Sequence, residues 1–174
     1  ATALLGLRRR PRLVNTCHNM GTRLDNRRLR LLYRCSLRHT ARVAMVGEQV
    51  RQRFVDGGIV PAPLAATVLN GIPVQRFAHG EDARKLARER LGLAPDAPVL
   101  GCVGRLVELK NHRLLLGCLP RLAASQPDLR LVLVGDGPLE ATLRVEAAAL
   151  GVANRVLFAG ACDDVPALLP ALDI

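Results

Sequence analysis

The chain has 174 residues, 49% hydrophobic and 23% charged, which is enough apolar material for one ordinary domain or parts of two and too much for a disordered chain. Its longest apolar runs, such as Leu131-Val132-Leu133-Val134, fall far short of the roughly 18–20 residues that span a bilayer. The net charge of +10 is unevenly placed: residues 1–42 hold 11 arginines against the single acid Asp25, while residues 43–174 hold 14 basic and 14 acidic residues.

In chain order, an apolar strand is predicted near 12–18, ending at His18. Residues 27–40 have helical spacing. At 100° per residue, Arg27, Arg30, Arg34, Arg38 and Arg42 share one face, and Leu29, Leu32, Tyr33, Ser36, Leu37 and Thr40 share the other, with Leu31 the exception on the basic side. A basic amphipathic segment over 27–42 either contacts an anionic membrane peripherally, faces an acidic ligand, or is solvated with its apolar side on the core. Nucleic acid is disfavoured, because four aromatic residues give no stacking platform and no recognition motif is present.

A strand near 42–46, a helix over 48–56 and a strand near 66–69 follow. The turn residues Asn70-Gly71-Ile72-Pro73 then mark a boundary between Asn70 and Glu81. Beyond it come a helix over 82–91, a strand near 98–103 and a helix over 112–124 with Asn111 as its cap. A strand near 130–134, a helix over 139–149 stopped by Gly151, a strand near 155–158 and a helix over 165–172 opened by Asp164 complete the series. Alternating strands and helices with unbroken apolar strands predict an α/β fold of parallel sheets covered on both faces. The expected organisation is parts of two Rossmann-like domains, 1–77 and 78–174.

The residues with chemical promise lie where these strands end. Gly104-Arg105-Leu106 follows a buried strand, and Lys110 stands just before a helix start. In a parallel sheet, ligands bind at the carboxyl ends of the strands. Gly104 admits a close ligand, Arg105 offers a planar fork and Lys110 a compact charge, a set that favours phosphate or diphosphate; the alternative is a pair of exposed loop cations. Gly135-Asp136-Gly137-Pro138 ends another strand but lacks the third glycine of the dinucleotide fingerprint, so NAD and FAD are disfavoured. It either borders a ligand cleft or is a structural turn. His18, at a strand's carboxyl end, is a candidate for orienting a hydroxyl, although alone it reads more simply as a loop residue. His39, His79 and His112 are assigned no role. Asp163-Asp164 reads as helix capping rather than a metal site, and no metal or cofactor is expected. The five cysteines, Cys17, Cys35, Cys102, Cys118 and Cys162, form no C-x-x-C pair and read as buried thiols of a reducing compartment.

In this order, five stretches resemble the retaining glycosyltransferases of family 4, which have the GT-B fold. They are Thr16-Cys17-His18-Asn19; Val46-Gly47-Glu48; Val68-Leu69-Asn70-Gly71-Ile72-Pro73 with Phe77; Gly104-Arg105-Leu106 to Lys110; and Val132 to Pro138 with Val156-Leu157-Phe158-Ala159-Gly160 and Ala171-Leu172-Asp173-Ile174. The resemblance implies an enzyme of hexosyltransferase type that moves a sugar from a nucleotide-diphosphate sugar to a sugar or lipid-linked acceptor hydroxyl with retention, in polysaccharide or glycolipid synthesis. The two sequence parts would then be the acceptor-side domain with its linker and the donor-binding domain. Arg105 and Lys110 would hold the donor diphosphate, with Gly104 and Gly135 beside them. His18 would reach the donor sugar, and Phe158 and Gly160 would lie beside the nucleotide base. Gly47 stands where the family has serine, which weakens any functional role for Glu48.

The resemblance further implies that the chain is a fragment, inactive alone, with a Glu-x7-Glu motif following Ile174 and a glycine-rich loop preceding Ala1. A cytoplasmic location, peripheral on the membrane face, is expected. A nucleotide-sugar epimerase of GT-B fold and a non-catalytic nucleotide-sugar-binding module are the competing readings.

Overall fold

In the computed structural model, residues 12–18, 23–77 and 80–174 are described; Asn19 of the first matching stretch and His79 lie outside them. The chain divides into two compact units, 1–72 and 73–174. The dividing point falls before Phe77, because the turn Val74–Phe77 belongs to the second unit, where Arg76 donates to Asp164 at 2.9 Å.

The first unit carries a parallel sheet of β1 (Leu13–Cys17), β2 (Thr40–Met45) and β3 (Ala65–Thr67) in that spatial order. Two helices connect the strands, α1 (Arg27–Ser36) and α2 (Glu48–Asp56). Alternation along β2 sends Val43 and Met45 to one face, where they pack with Cys17, Leu24, Leu37, Phe54 and Val60. On the opposite face Val14 and Arg42 are exposed, so among the described residues this sheet is covered on one side, not on both as the apolar runs suggested.

Helix α1 starts where Asn26 accepts from the Arg28 and Leu29 amides at 3.0 and 3.3 Å. It ends earlier than expected, at Ser36, and a tight 3-10 turn over Leu37–His39 leads into β2. Its expected apolar face is only partly used. Leu37 and Thr40 are buried, Tyr33 is half-buried, and Leu32 is 67% exposed.

The second unit repeats the scheme with fuller cover. Strands β4 (Val99–Val103), β5 (Arg130–Val134) and β6 (Val156–Gly160) pair in parallel in that order. The central strand β5 is buried on both faces, which explains its unbroken Leu-Val-Leu-Val run. Leu131 and Leu133 pack with Leu116 and Leu119 of α4 (His112–Ser125) and Leu143 and Ala147 of α5 (Glu140–Ala149). Val132 and Val134 face the other way, towards Leu91 of α3 (Glu81–Leu91) and Leu168 of α6 (Val165–Leu168). The helix expected over 165–172 is a short α6 followed by a 3-10 turn over Leu169–Ala171. Pro166 sits in the first turn, where its missing amide costs nothing, but Pro170 removes the donor that would continue the helix and its ring crowds the carbonyl four residues back.

One polar clamp closes this second face. Arg88, buried on α3, donates to the carbonyls of Ala94, Pro95 and Ala97 and to Asp173 at 2.9 Å. Asp173 also accepts from Arg84 at 2.5 Å and from the Val99 amide at 2.7 Å. Burial pushes the Asp173 carboxyl up, but the Arg84 hydrogen bond, the Val99 amide and the two guanidinium charges outweigh it and hold the group below its ordinary value. The clamp fixes Leu172 against Gly101 and the Asp173–Ile174 backbone against β4.

Replacing Arg88 by Met would take the guanidinium donor from three carbonyls and leave Asp173 with Arg84 and the Val99 amide alone. The expected loss of folding stability is about 3 kcal/mol, the scale for breaking a buried ion pair, measured by denaturant unfolding. A loss below about 0.5 kcal/mol, the size of an ordinary surface substitution, would show that the clamp is incidental.

Candidate functional site

The loops that leave β4, β5 and β6 are joined by backbone hydrogen bonds. The Gly104 amide donates to Val134 at 2.8 Å, the Leu106 amide to Asp136 at 2.7 Å, the Gly135 amide to Gly160 at 2.7 Å and the Leu139 amide to Leu106 at 3.1 Å. This close approach needs two glycines. Gly135 has φ +136°, and a Cβ there would collide with the Gly104 carbonyl; a Cβ at Gly137 would collide with the Leu106 carbonyl. Leu106 is buried beneath the stitched loops. Arg105, between Gly104 and Leu106, is thus carried on a backbone fixed on both sides, with its side chain exposed.

Lys110 ends a 3-10 turn over Glu108–Lys110. Its stem lies over Gly104: the position a Cβ would take there is 3.6 Å from Cε and 3.7 Å from Cδ. Among the described residues neither Arg105 nor Lys110 has a carboxylate partner. By contrast Arg113 is held by Glu108 and Glu146, each at 2.8 Å. Two unpaired cations therefore stand at the carboxyl edge of a parallel sheet, beside the start of α4. That start carries partial positive charge, and together the three features form an anion-binding arrangement.

Asn111 does not cap α4 through its side chain. It adopts a left-handed conformation, φ +51°, which ends the Glu108–Lys110 turn and redirects the chain into the helix. Asparagine tolerates this conformation better than most residues. Asp164 likewise makes no capping bond at α6, because its carboxylate is engaged by Arg76.

The remaining candidates are placed as follows. Phe158 lies within β6 rather than in the loop after it, packs on the Leu131–Leu133 core, and carries the Arg144 guanidinium 4.2 Å from its ring centroid. Gly160 closes β6 and supplies the carbonyl that holds Gly135. In the first unit His18 is exposed directly after β1. Glu48, at the start of α2, accepts from Arg51 and from Thr67 Oγ1 at 2.6 Å. The Arg51 hydrogen bond first, then Thr67, lowers its carboxyl to about 2. These bonds make Glu48 a tie between α2 and β3. Of the five free thiols, Cys35 and Cys118 are exposed, contrary to the expectation of burial. No group of three metal-ligating side chains occurs among the described residues, and none of their helices is long and apolar enough to cross a membrane.

His112 has a place that the sequence did not disclose. It is the first residue of α4, 1% exposed, and neither ring nitrogen has a partner. Burial, then the nearby Lys110 charge, holds its imidazole below the ordinary histidine value. No pattern in the sequence marks it, because its burial follows from α4 packing on the sheet.

The folded chain thus binds fewer protons at His112 than the unfolded chain does. Its contribution to stability is complete above the unfolded value of about 6.5 and declines as the pH falls below it. Thermal melts between neutral and mildly acidic pH should show a larger acid-induced drop in the wild type than in His112→Gln. Parallel profiles would contradict this assignment.

Comparison with known proteins bears on the same region. The family model described as glycosyl transferases group 1 matches residues 83–174. The GDP-mannose-dependent alpha-(1-6)-phosphatidylinositol monomannoside mannosyltransferase of Mycolicibacterium smegmatis is 40% identical over 67% of this chain and 30% of its own length. The lipopolysaccharide core biosynthesis mannosyltransferase LpsB of Rhizobium meliloti is 32% identical over 62% of this chain and 32% of its own length. The crystal structure of Anabaena Alr3699/HepE in complex with UDP superposes with a TM-score of 0.80 at 24% identity, over 93% of this chain and 45% of that one. That likeness shows the fold, which is of GT-B type. The chain spans less than half the length of each of these proteins.

Proposed function

The chain belongs to the family of glycosyl transferases group 1, and we propose that it is part of an enzyme transferring a sugar from a nucleotide-diphosphate donor to an acceptor hydroxyl. The observation that carries this reading is the pair Arg105 and Lys110, unpaired beside the start of α4 on a backbone that the β4 and β5 loops fix. The relatives support the reaction class: the M. smegmatis relative is named as a mannosyltransferase that depends on GDP-mannose.

Negative charge grows on the diphosphate as the glycosidic bond breaks. Cations already fixed where that charge develops stabilise the transition state more than the ground state. Arg105 supplies a planar two-point contact and Lys110 a point charge. Gly104, Gly135 and Gly160 shape the floor. Phe158 supports β6 from within the core, so we assign it to holding the base-side loop rather than to contact with the base. His18 is assigned to hydrogen bonding with the transferred sugar, on family resemblance alone. We propose transfer with retention of anomeric configuration and a lipid-linked acceptor; the latter follows the phosphatidylinositol monomannoside named for the M. smegmatis relative. We place the enzyme in the cytoplasm, where reducing conditions suit its free cysteines.

In the full-length enzyme, Arg105→Ala and Lys110→Ala should each lower turnover about 100-fold, the scale for removing one preorganised donor. The melting temperature should stay near that of the wild type, because both side chains are exposed and unpaired. Steady-state kinetics alongside thermal melts decide this. Unchanged turnover in both variants would place the diphosphate elsewhere.

A further inference from the structure

We infer that His112 is a third cation of the diphosphate site, one that takes up its proton when a nucleotide-diphosphate sugar binds. The inference rests on the donor reading of Arg105 and Lys110 and adds a residue which that reading does not use. His112 opens α4, two residues after Lys110. At helical spacing it shares a buried face with Leu116 and Leu119. Those two pack with Leu131 and Leu133 of β5 and with Leu106 of the stitched loops. Side chains lean towards the start of their helix, so the imidazole stands at the carboxyl edge of the sheet, beside the loop that carries both cations.

The ring is out of place as a core group. It is buried, and neither nitrogen has a partner among the described residues. Arg88, the other buried polar side chain described in the second unit, is engaged by three carbonyls and by Asp173. A buried polar group without a partner destabilises a fold. An apolar side chain would continue the Leu116–Leu119 stripe without that cost. A polar group left in this state at a ligand-binding edge is one that a ligand can satisfy.

The charges around it set the direction of the effect. On the neighbouring elements, Arg113 holds Glu108 and Glu146, and Glu140 holds Arg144, so these groups compensate one another in place. Asp136 on the β5 loop is exposed. Cys102 on β4 is a thiol that burial pushes up, so it brings no charge. Arg105 and Lys110 have no carboxylate partner, and the start of α4 adds partial positive charge. Lys110, together with burial, opposes protonation of His112 in the free protein. A diphosphate on Arg105 and Lys110 reverses the sign of that field, so the protonated ring becomes the favoured form. The proton comes from solvent and joins the ring nitrogen that lacks one; no other bond changes.

Binding that takes up a proton strengthens as the pH falls. The test uses the full-length enzyme with GDP-mannose and with UDP-glucose, whose phosphates have no proton of their own to exchange near neutral pH. Calorimetry near pH 7, in buffers of different ionisation enthalpy, counts the protons taken up with whichever sugar nucleotide binds. Net uptake is expected in the wild type and none in His112→Gln. Wild-type affinity should be about fivefold tighter at pH 6 than at pH 8, within the roughly tenfold that a midpoint displaced by one pH unit permits. The His112→Gln profile should be flat over that range. By NMR, the His112 Cε1 proton, assigned through the α4 backbone, should titrate at a higher pH with the sugar nucleotide than without it. That resonance is read in the wild type, so the test stands even where His112→Gln fails to fold.

Binding without proton uptake, uptake undiminished in His112→Gln, or a His112 midpoint unmoved by the ligand would each overturn this inference and leave the donor reading standing. No binding of either sugar nucleotide at any pH would remove the donor reading and this inference with it.

Discussion

The Gly104 carbonyl occupies the space that any side chain at position 135 would need. Because glycine stands there, the loops after β4 and β5 approach closely enough for the Gly104 and Leu106 amides to find carbonyls on the neighbouring loop. Those bonds hold the backbone on either side of Arg105, bury Leu106 as an anchor, and bring the stem of Lys110 down over Gly104. A long cation on a free loop loses rotamer and backbone entropy on meeting an anion. Here the backbone share of that cost is met in folding, so the charges stand ready where a diphosphate can meet them.

The rest of the second unit serves that arrangement. The α4 and α5 leucines press on one face of β5, while the Arg88–Asp173 clamp with α3 and α6 closes the other. A sheet pinned on both sides gives its carboxyl edge a fixed geometry. His112 adds a buried imidazole next to Lys110, held below the ordinary histidine value, and gives the helix start a polar group without a protein partner. The first unit is built more lightly. Its described sheet is covered on one face, and its charge is gathered on α1 and the adjoining turn, away from the end of the sheet that carries His18.

Much of this was legible in the residues. The run at β5 announced a strand buried on both faces, and the order of strands and helices announced two parallel sheets. Gly104, Arg105 and Lys110 could be picked out because ligand chemistry in such sheets gathers at strand ends. Other features were not local enough to be read. Pro170 broke a helix that hydrophobic spacing alone had extended. Asn111 looked like a side-chain cap, but the turn at Lys110 required its left-handed backbone. The family resemblance put Phe158 beside the nucleotide base, yet the register with Leu133 sets it half-buried against the core. His112 had no signature at all, since its isolation arises only when α4 docks. The exposure of Leu31 and Leu32 depends on how α1 rolls against the sheet, a tertiary choice that spacing does not fix.

The central claim is that the fixed loop at Gly104–Lys110, with the Gly135–Gly137 turn, receives a diphosphate. Backbone amide shifts of the isotopically labelled chain, followed by NMR as GDP or UDP is added, test it most directly. The account predicts perturbations concentrated at Gly104 to Arg113 and Gly135 to Gly137, and largely abolished by Lys110→Ala. Perturbations centred elsewhere, or equally strong in Lys110→Ala, would contradict it.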